Sequence, residues 1–148
     1  VGIPLTLRGV ASSAWLGTAT GQDGRLTADL LAALNTSSTL VVFMGRRRIR
    51  DIAQHLVQLG KSDTPIAVVS EGSLAQQQCV IHSAKVWLTS EVESLPDPAL
   101  LVIGEVVHHQ LTPTTTNLRS ITPSFTHEYE VPHLPETRKS HVQRLRRV

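Results

Sequence analysis

Two apolar runs constrain this chain most tightly: Thr39-Leu40-Val41-Val42-Phe43-Met44-Gly45 and Pro98-Ala99-Leu100-Leu101-Val102-Ile103-Gly104-Glu105-Val106-Val107. Both are rich in β-branched residues, lack a polar face and end at or near a glycine. A continuous apolar run of this length reads as a strand buried on both faces. Each run therefore predicts a strand that delivers its last residues to a sheet edge, where glycine lets backbone come close to a ligand.

The intervening sequence alternates strand and helix signals. Ala14–Thr18 predicts a strand, closed by Gly21 and the Gln22-Asp23-Gly24 turn. Thr27 is placed to cap a short helix over Ala28–Leu34, and Leu40–Met44 is the next strand. Arg46–Leu59 predicts a helix whose stripe is Ile49, Ile52, Ala53, Leu56, Val57 and Leu59, with Gly60 as its stop. Pro65–Val69 follows as a strand, and Ala99–Val107 as the last one. From Gln76 to Leu88 two readings stay open: Cys79 and Ile81 alternate as in a strand, while Val86, Trp87 and Leu88 suit a helix start. This order predicts an α/β domain, with a largely parallel or mixed sheet and flanking helices. Beyond His109 the character changes, with four prolines and no periodic apolar face over Leu111–Val148. The expectation is a folded domain over 1–109 and a poorly ordered basic tail over 110–148.

Composition removes several classes of function. Residues 1–109 carry eight Lys/Arg against nine Asp/Glu, a net −1, whereas 110–148 carry six against three, a net +3. The basic character thus belongs to the tail, and with aromatics at 3% a nucleic-acid-stacking surface is not expected. The apolar runs are too short to cross a bilayer. Cys79 is the single cysteine, which excludes an internal disulfide or a cysteine metal cluster and fits a cytoplasmic setting. The His108-His109 pair, read on a strand, points to opposite faces and does not suit one metal ion. No metal is expected.

Taken in order, Gly2-Ile3-Pro4-Leu5-Thr6 with Arg8, Leu40–Gly45, Thr64–Val69, Gly72 with Ser73 and Gln77, and Pro98–Val107 resemble the second half of the tetrapyrrole (corrin/porphyrin) methylases. The resemblance covers about residues 2–107 and none of the tail. It implies the C-terminal domain of a two-domain fold, with S-adenosylmethionine held between the domains and its methyl group passed to a carbon of a uroporphyrinogen-like tetrapyrrole. It also implies a homodimer for the intact enzyme. On this resemblance Met44 and Gly72 line the adenosine part of the cofactor, with Ala67 as a neighbouring candidate. The physical logic is that adenine needs an apolar slot plus a few backbone donors and acceptors, which strand ends with small residues provide. In-line displacement from an activated sulfonium calls mainly for alignment. No catalytic acid, base or nucleophile is assigned.

The basic run Arg46-Arg47-Arg48 opposes the dipole of the helix it opens. Arg8, Arg46 and Arg47 are candidates to attract substrate carboxylates; the alternative is an ordinary solvated face.

The sequence departs from the family at Leu7, at Thr18-Ala19-Thr20-Gly21 and at Gln77-Gln78, which bears on substrate handling more than on fold. The family's upstream Gly-x-Gly-Pro-Gly-Asp, Gly-Gly-Asp and Pro-Gly-x-Thr/Ser segments do not occur. The expectations are that the first domain is missing, and that this chain alone binds the cofactor weakly and does not turn over. The competing expectation is a degenerate, non-catalytic methylase domain that serves as an interaction module.

Overall fold

Thr27 opens the first helix as its chemistry dictates: its Oγ1 accepts from the Leu30 amide at 3.2 Å, satisfying one of the free donors of the first turn. The computed structural model describes residues 1–91 and 94–111, so the expected tail lies outside the described residues apart from Gln110 and Leu111. Those two bond back to the start of the chain, Gln110 Nε2 to the Val1 carbonyl and the Leu111 amide to the Gly2 carbonyl, each at 2.8 Å.

The elements in chain order are β1 (Ala14–Thr18), α1 (Ala28–Leu34), β2 (Thr39–Phe43), α2 (Ile49–Gln58), β3 (Pro65–Ser70), β4 (Gln78–Ser83), α3 (Ala84–Trp87) and β5 (Ala99–Ile103). The strands form one five-stranded mixed sheet in the order β1-β2-β5-β3-β4. Only β1 and β2 run parallel; β2–β5, β5–β3 and β3–β4 are antiparallel. Alternation along the strands divides the core in two. Leu40, Val42, Ile66, Val68, Leu101 and Ile103 pack on one side against the helices, through Leu30, Leu34, Ile52, Leu56 and Trp87. On the other side Ala67, Val69 and Val102 pack with Val107 and, from the start of the chain, Val1 and Ile3.

Several boundaries differ from the sequence reading, each for a local reason. Met44 has left the strand at φ 54, so β2 is Thr39–Phe43 rather than Leu40–Met44. The predicted helix over Arg46–Leu59 begins instead as a 3-10 turn, Arg46–Arg48, with the Arg48 amide on the Gly45 carbonyl at 2.9 Å, and only Ile49–Gln58 is α-helical. Gln76–Leu88 resolves into both of its open readings in succession, strand then helix. The last strand stops at Ile103 rather than Val107, because Gly104 at φ 125 turns the chain into a second 3-10 turn, Glu105–His109. His108 and His109 therefore lie on that turn and not on a strand.

Because β5 is antiparallel to β2 and β3, Ala99, not Gly104, lies level with the ends of β2 and β3. Gly104 sits at the opposite edge, its amide on the Pro65 carbonyl.

At Gly45, within the fully buried core, the lack of a side chain is a packing need. A Cβ there would lie 2.7 Å from Leu101 Cδ1, 3.0 Å from Leu101 Cγ and 3.1 Å from Val42 Cγ1. Both neighbours are fully buried, so little space can open. Gly45→Ala is expected to lower stability by about 1–3 kcal/mol in urea unfolding, and an unchanged midpoint would refute the tight packing.

Candidate functional site

The carboxyl ends of β2 and β3 and the amino end of β5 meet at one edge of the sheet, with Phe43 opposite Leu100 and Ser70 opposite Ala99. Three non-glycine residues in the left-handed region gather there: Met44 at φ 54, Glu71 at φ 51 and Ser73 at φ 70. Side chains other than glycine, asparagine and aspartate rarely adopt this conformation, and such strain persists only where surrounding contacts enforce it.

Each turn has its own supports. At the end of β2 the Phe43 carbonyl accepts from the Ala19 amide at 2.9 Å, and Gly45 is pressed onto Leu101. Between them Met44 is turned outward and is 66% exposed, which removes the reading of a core methionine. Beyond β3 the Glu71 amide donates to the Pro98 carbonyl at 2.8 Å, and the Ser73 amide to Gln77 Oε1 at 2.8 Å. Gly72 lies between these two residues, and a Cβ there would meet only Val69 Cγ1, at 3.6 Å. The Ser70 hydroxyl, fully buried at the same end of β3, has no hydrogen-bond partner among the described residues.

A cleft of about 300 Å³ opens beside Met44, lined by Met44, Arg46, Arg47, Asp97 and Ala99. The arginines of the basic run are not equivalent within it. Arg46 holds Asp97 in a fork, Nε to Oδ1 at 2.8 Å and Nη2 to Oδ2 at 2.5 Å, and its side chain is only 13% exposed. Arg47 stands 85% exposed, with its nearest nitrogen 3.9 Å from Asp97. Arg48 turns away to the Gly24 carbonyl at 2.7 Å and to Asp51 at 3.2 Å. The hydrogen bond from Arg46 opposes desolvation and, helped by the charges of Arg46 and Arg47, holds the Asp97 carboxyl below its ordinary value of 3.8. Asp97 and Asp51 bring negative charge to a helix start that the arginines alone would oppose.

The structure thus brings Met44, Arg46 and Arg47 together, with Gly72 in the turn that follows β3, at the same edge but across β5. It does not bring Ala67 or Arg8 there. Ala67 is fully buried in mid-strand, opposite Val102 and Ile81. Arg8 is exposed in the turn Leu7–Ala11, whose Val10 lines a separate cavity at the opposite edge with Gly104 and Lys61. Asp97 escaped the sequence reading, since nothing local marks it as the partner of an arginine 51 residues away. Among the described residues no group of three or more His, Cys, Asp or Glu is placed to hold a metal ion, and no helix is long and apolar enough to cross a membrane.

The fold has counterparts among solved structures. The native form of uroporphyrin III C-methyl transferase from Thermus thermophilus superposes with a TM-score of 0.63 at 31% identity, over 73% of this chain and 47% of that one. The same enzyme complexed with S-adenyl homocysteine superposes at 0.61 with 29% identity, over 73% and 48%. The fold is that of a tetrapyrrole-methylase domain. Residues 1–86 match the family described as Tetrapyrrole (Corrin/Porphyrin) Methylases, and the chain belongs to that family. A uroporphyrinogen-III C-methyltransferase of Pseudomonas fluorescens is 40% identical over 106 residues, 70% of this chain and 42% of that protein. A siroheme synthase of Actinobacillus succinogenes is 39% identical over 108 residues, 72% of this chain and 22% of its own length. The chain spans less than half the length of each of these relatives.

Proposed function

We propose that this chain is the C-terminal domain of an S-adenosylmethionine-dependent C-methyltransferase acting on a tetrapyrrole of the uroporphyrinogen III type. The observation that carries this reading is the outward, left-handed Met44 at the end of β2, sharing one sheet edge with Gly72. These residues fit an adenosine group. Met44 offers an exposed, polarizable thioether, and Gly72 leaves its backbone uncovered, since a Cβ there would make only an ordinary contact with Val69 Cγ1 at 3.6 Å. The relative whose structure contains S-adenyl homocysteine has the same domain fold, which supports the same ligand class here. When bound, the cofactor supplies an activated methyl group, so what this chain contributes is orientation and exclusion of water.

Arg47 is the residue of the basic run available to a substrate carboxylate, because it is exposed at the rim of the cleft while Arg46 is held by Asp97. With the family's glycine-rich segments absent from this sequence, the methionine end of the cofactor has few partners, and the isolated chain binds weakly and does not turn over. The intact enzyme is a cytoplasmic homodimer in this reading.

Met44 is the single methionine, so a chain labelled with methyl-¹³C methionine reports the site through one resonance. Titration with S-adenosylhomocysteine is expected to move that resonance in fast exchange, with a dissociation constant well above micromolar. A resonance unmoved at millimolar ligand would refute the assignment and favour the interaction-module reading, for which Leu16 and Phe43, 58% and 45% exposed, supply outward apolar surface.

A further inference from the structure

We propose that Asp97 is a positioning residue that sets the spacing between the Met44 and Gly72 turns, and through it the affinity for the adenosine ligand. The inference rests on the cofactor reading above. The segment Asp97–Pro98 that leads into β5 touches both turns through different groups. Its carboxylate receives the two-pronged Arg46 guanidinium, two residues beyond Met44. The next carbonyl, Pro98, accepts the amide of Glu71, the residue before Gly72. Met44 and Glu71 are both left-handed, and each turn needs outside contacts to stay so.

The ladder alone does not fix this spacing. β2 and β3 are not neighbours; β5 separates them, and its ladder with each closes at Leu100 or Ala99. Past that point the two turns are joined through the lead-in of β5. A guanidinium–carboxylate fork is suited to this task, because two parallel hydrogen bonds fix orientation as well as distance. Arg46 is mostly covered while Asp97 is half exposed, so loss of the carboxylate releases the turn without opening the core. Arg46 lines the same cleft as Met44, and its fork with Asp97 is the contact through which it acts on the ligand site.

The test uses the full chain labelled at its one methionine, with Asp97→Asn, Arg46→Lys and, as a control, Asp63→Asn. Asp63 makes its ion pair with Lys85, away from this edge, at 2.6 Å. The expected result is a displaced Met44 methyl resonance in both site variants before ligand is added. A loss of affinity for S-adenosylhomocysteine of about tenfold accompanies it, while the control matches wild type in both respects. Arg46→Lys keeps the charge but not the fork, so wild-type behaviour in that variant would reduce the role to charge alone and overturn the proposal. Wild-type resonance and affinity in Asp97→Asn would overturn it as well. Failure of the wild-type resonance to respond to ligand would instead sink the cofactor reading. A displaced resonance in the unliganded variants would then still uphold the coupling of the two turns.

Discussion

Met44→Gly is expected to raise the stability of the chain while abolishing most of its affinity for S-adenosylhomocysteine. The methionine side chain is 66% exposed, so its removal takes little from the core, while its φ of 54 imposes a conformational cost that glycine does not bear. That cost is about 1–2 kcal/mol, and the greater freedom of glycine in the unfolded chain returns part of it. The net expectation is a gain of about 0.5–1 kcal/mol in urea unfolding. Binding should fall tenfold or more because the thioether that faces the cleft is gone. Met44→Ala separates the two effects, losing the side chain and keeping the strain, so its affinity falls without the gain in stability. Were Met44 a packing residue, the glycine variant would instead lose about 2–5 kcal/mol, and that outcome would refute the assignment.

Trp87→Ala is expected to be the most damaging single truncation. Trp87 is 1% exposed on α3, lies edge-on to His82 with ring centres 4.9 Å apart, and donates its indole N–H to the Ile66 carbonyl at 3.0 Å. Emptying a site of this size costs about 3–5 kcal/mol, a large part of the 5–15 kcal/mol typical of a folded domain. The lost hydrogen bond to a buried carbonyl adds about 1 kcal/mol. Trp87→Phe keeps most of the volume and loses the donor, so it should fall between the wild type and alanine. Denaturation followed by far-ultraviolet circular dichroism gives the comparison, and a loss below 1 kcal/mol in the alanine variant would contradict this account of the packing.

What the sequence made legible follows the range over which each signal acts. Thr27 and the Ala28–Leu34 helix were readable because a cap and its first turn are neighbours in the chain. Ala14–Thr18 matched for a similar reason, being closed by Gly21 and the Gln22-Asp23-Gly24 turn close by in the chain. The stop at Ile103 was not readable, because Val106 and Val107 are buried whether they continue a strand or, as here, form a 3-10 turn after Gly104. The resemblance singled out Met44 and Gly72, but their left-handed surroundings depend on Gly45 against Leu101 and on Glu71 bonded to Pro98, contacts between distant segments. Arg46 shows the same limit. Its neighbours in sequence are arginines, and only the fold supplies Asp97 as its ion-pair partner.

The position of β5 has a consequence for how the chain acquires its shape. β5, the last strand among the described residues, lies in the middle of the sheet, between β2 and β3. Before it arrives, β1–β2 and β3–β4 are two separate pairs of strands, and an isolated pair is marginal in water. Strands β1–β4 are therefore synthesised before the strand that closes their sheet, and helices α1 and α2 precede it as well. Folding of this kind waits on long-range pairing and is slow compared with helical domains of similar size. Until β5 arrives, the inner edges of β2 and β3 are unpaired backbone of the kind that pairs with other chains, an exposure that the finished sheet removes.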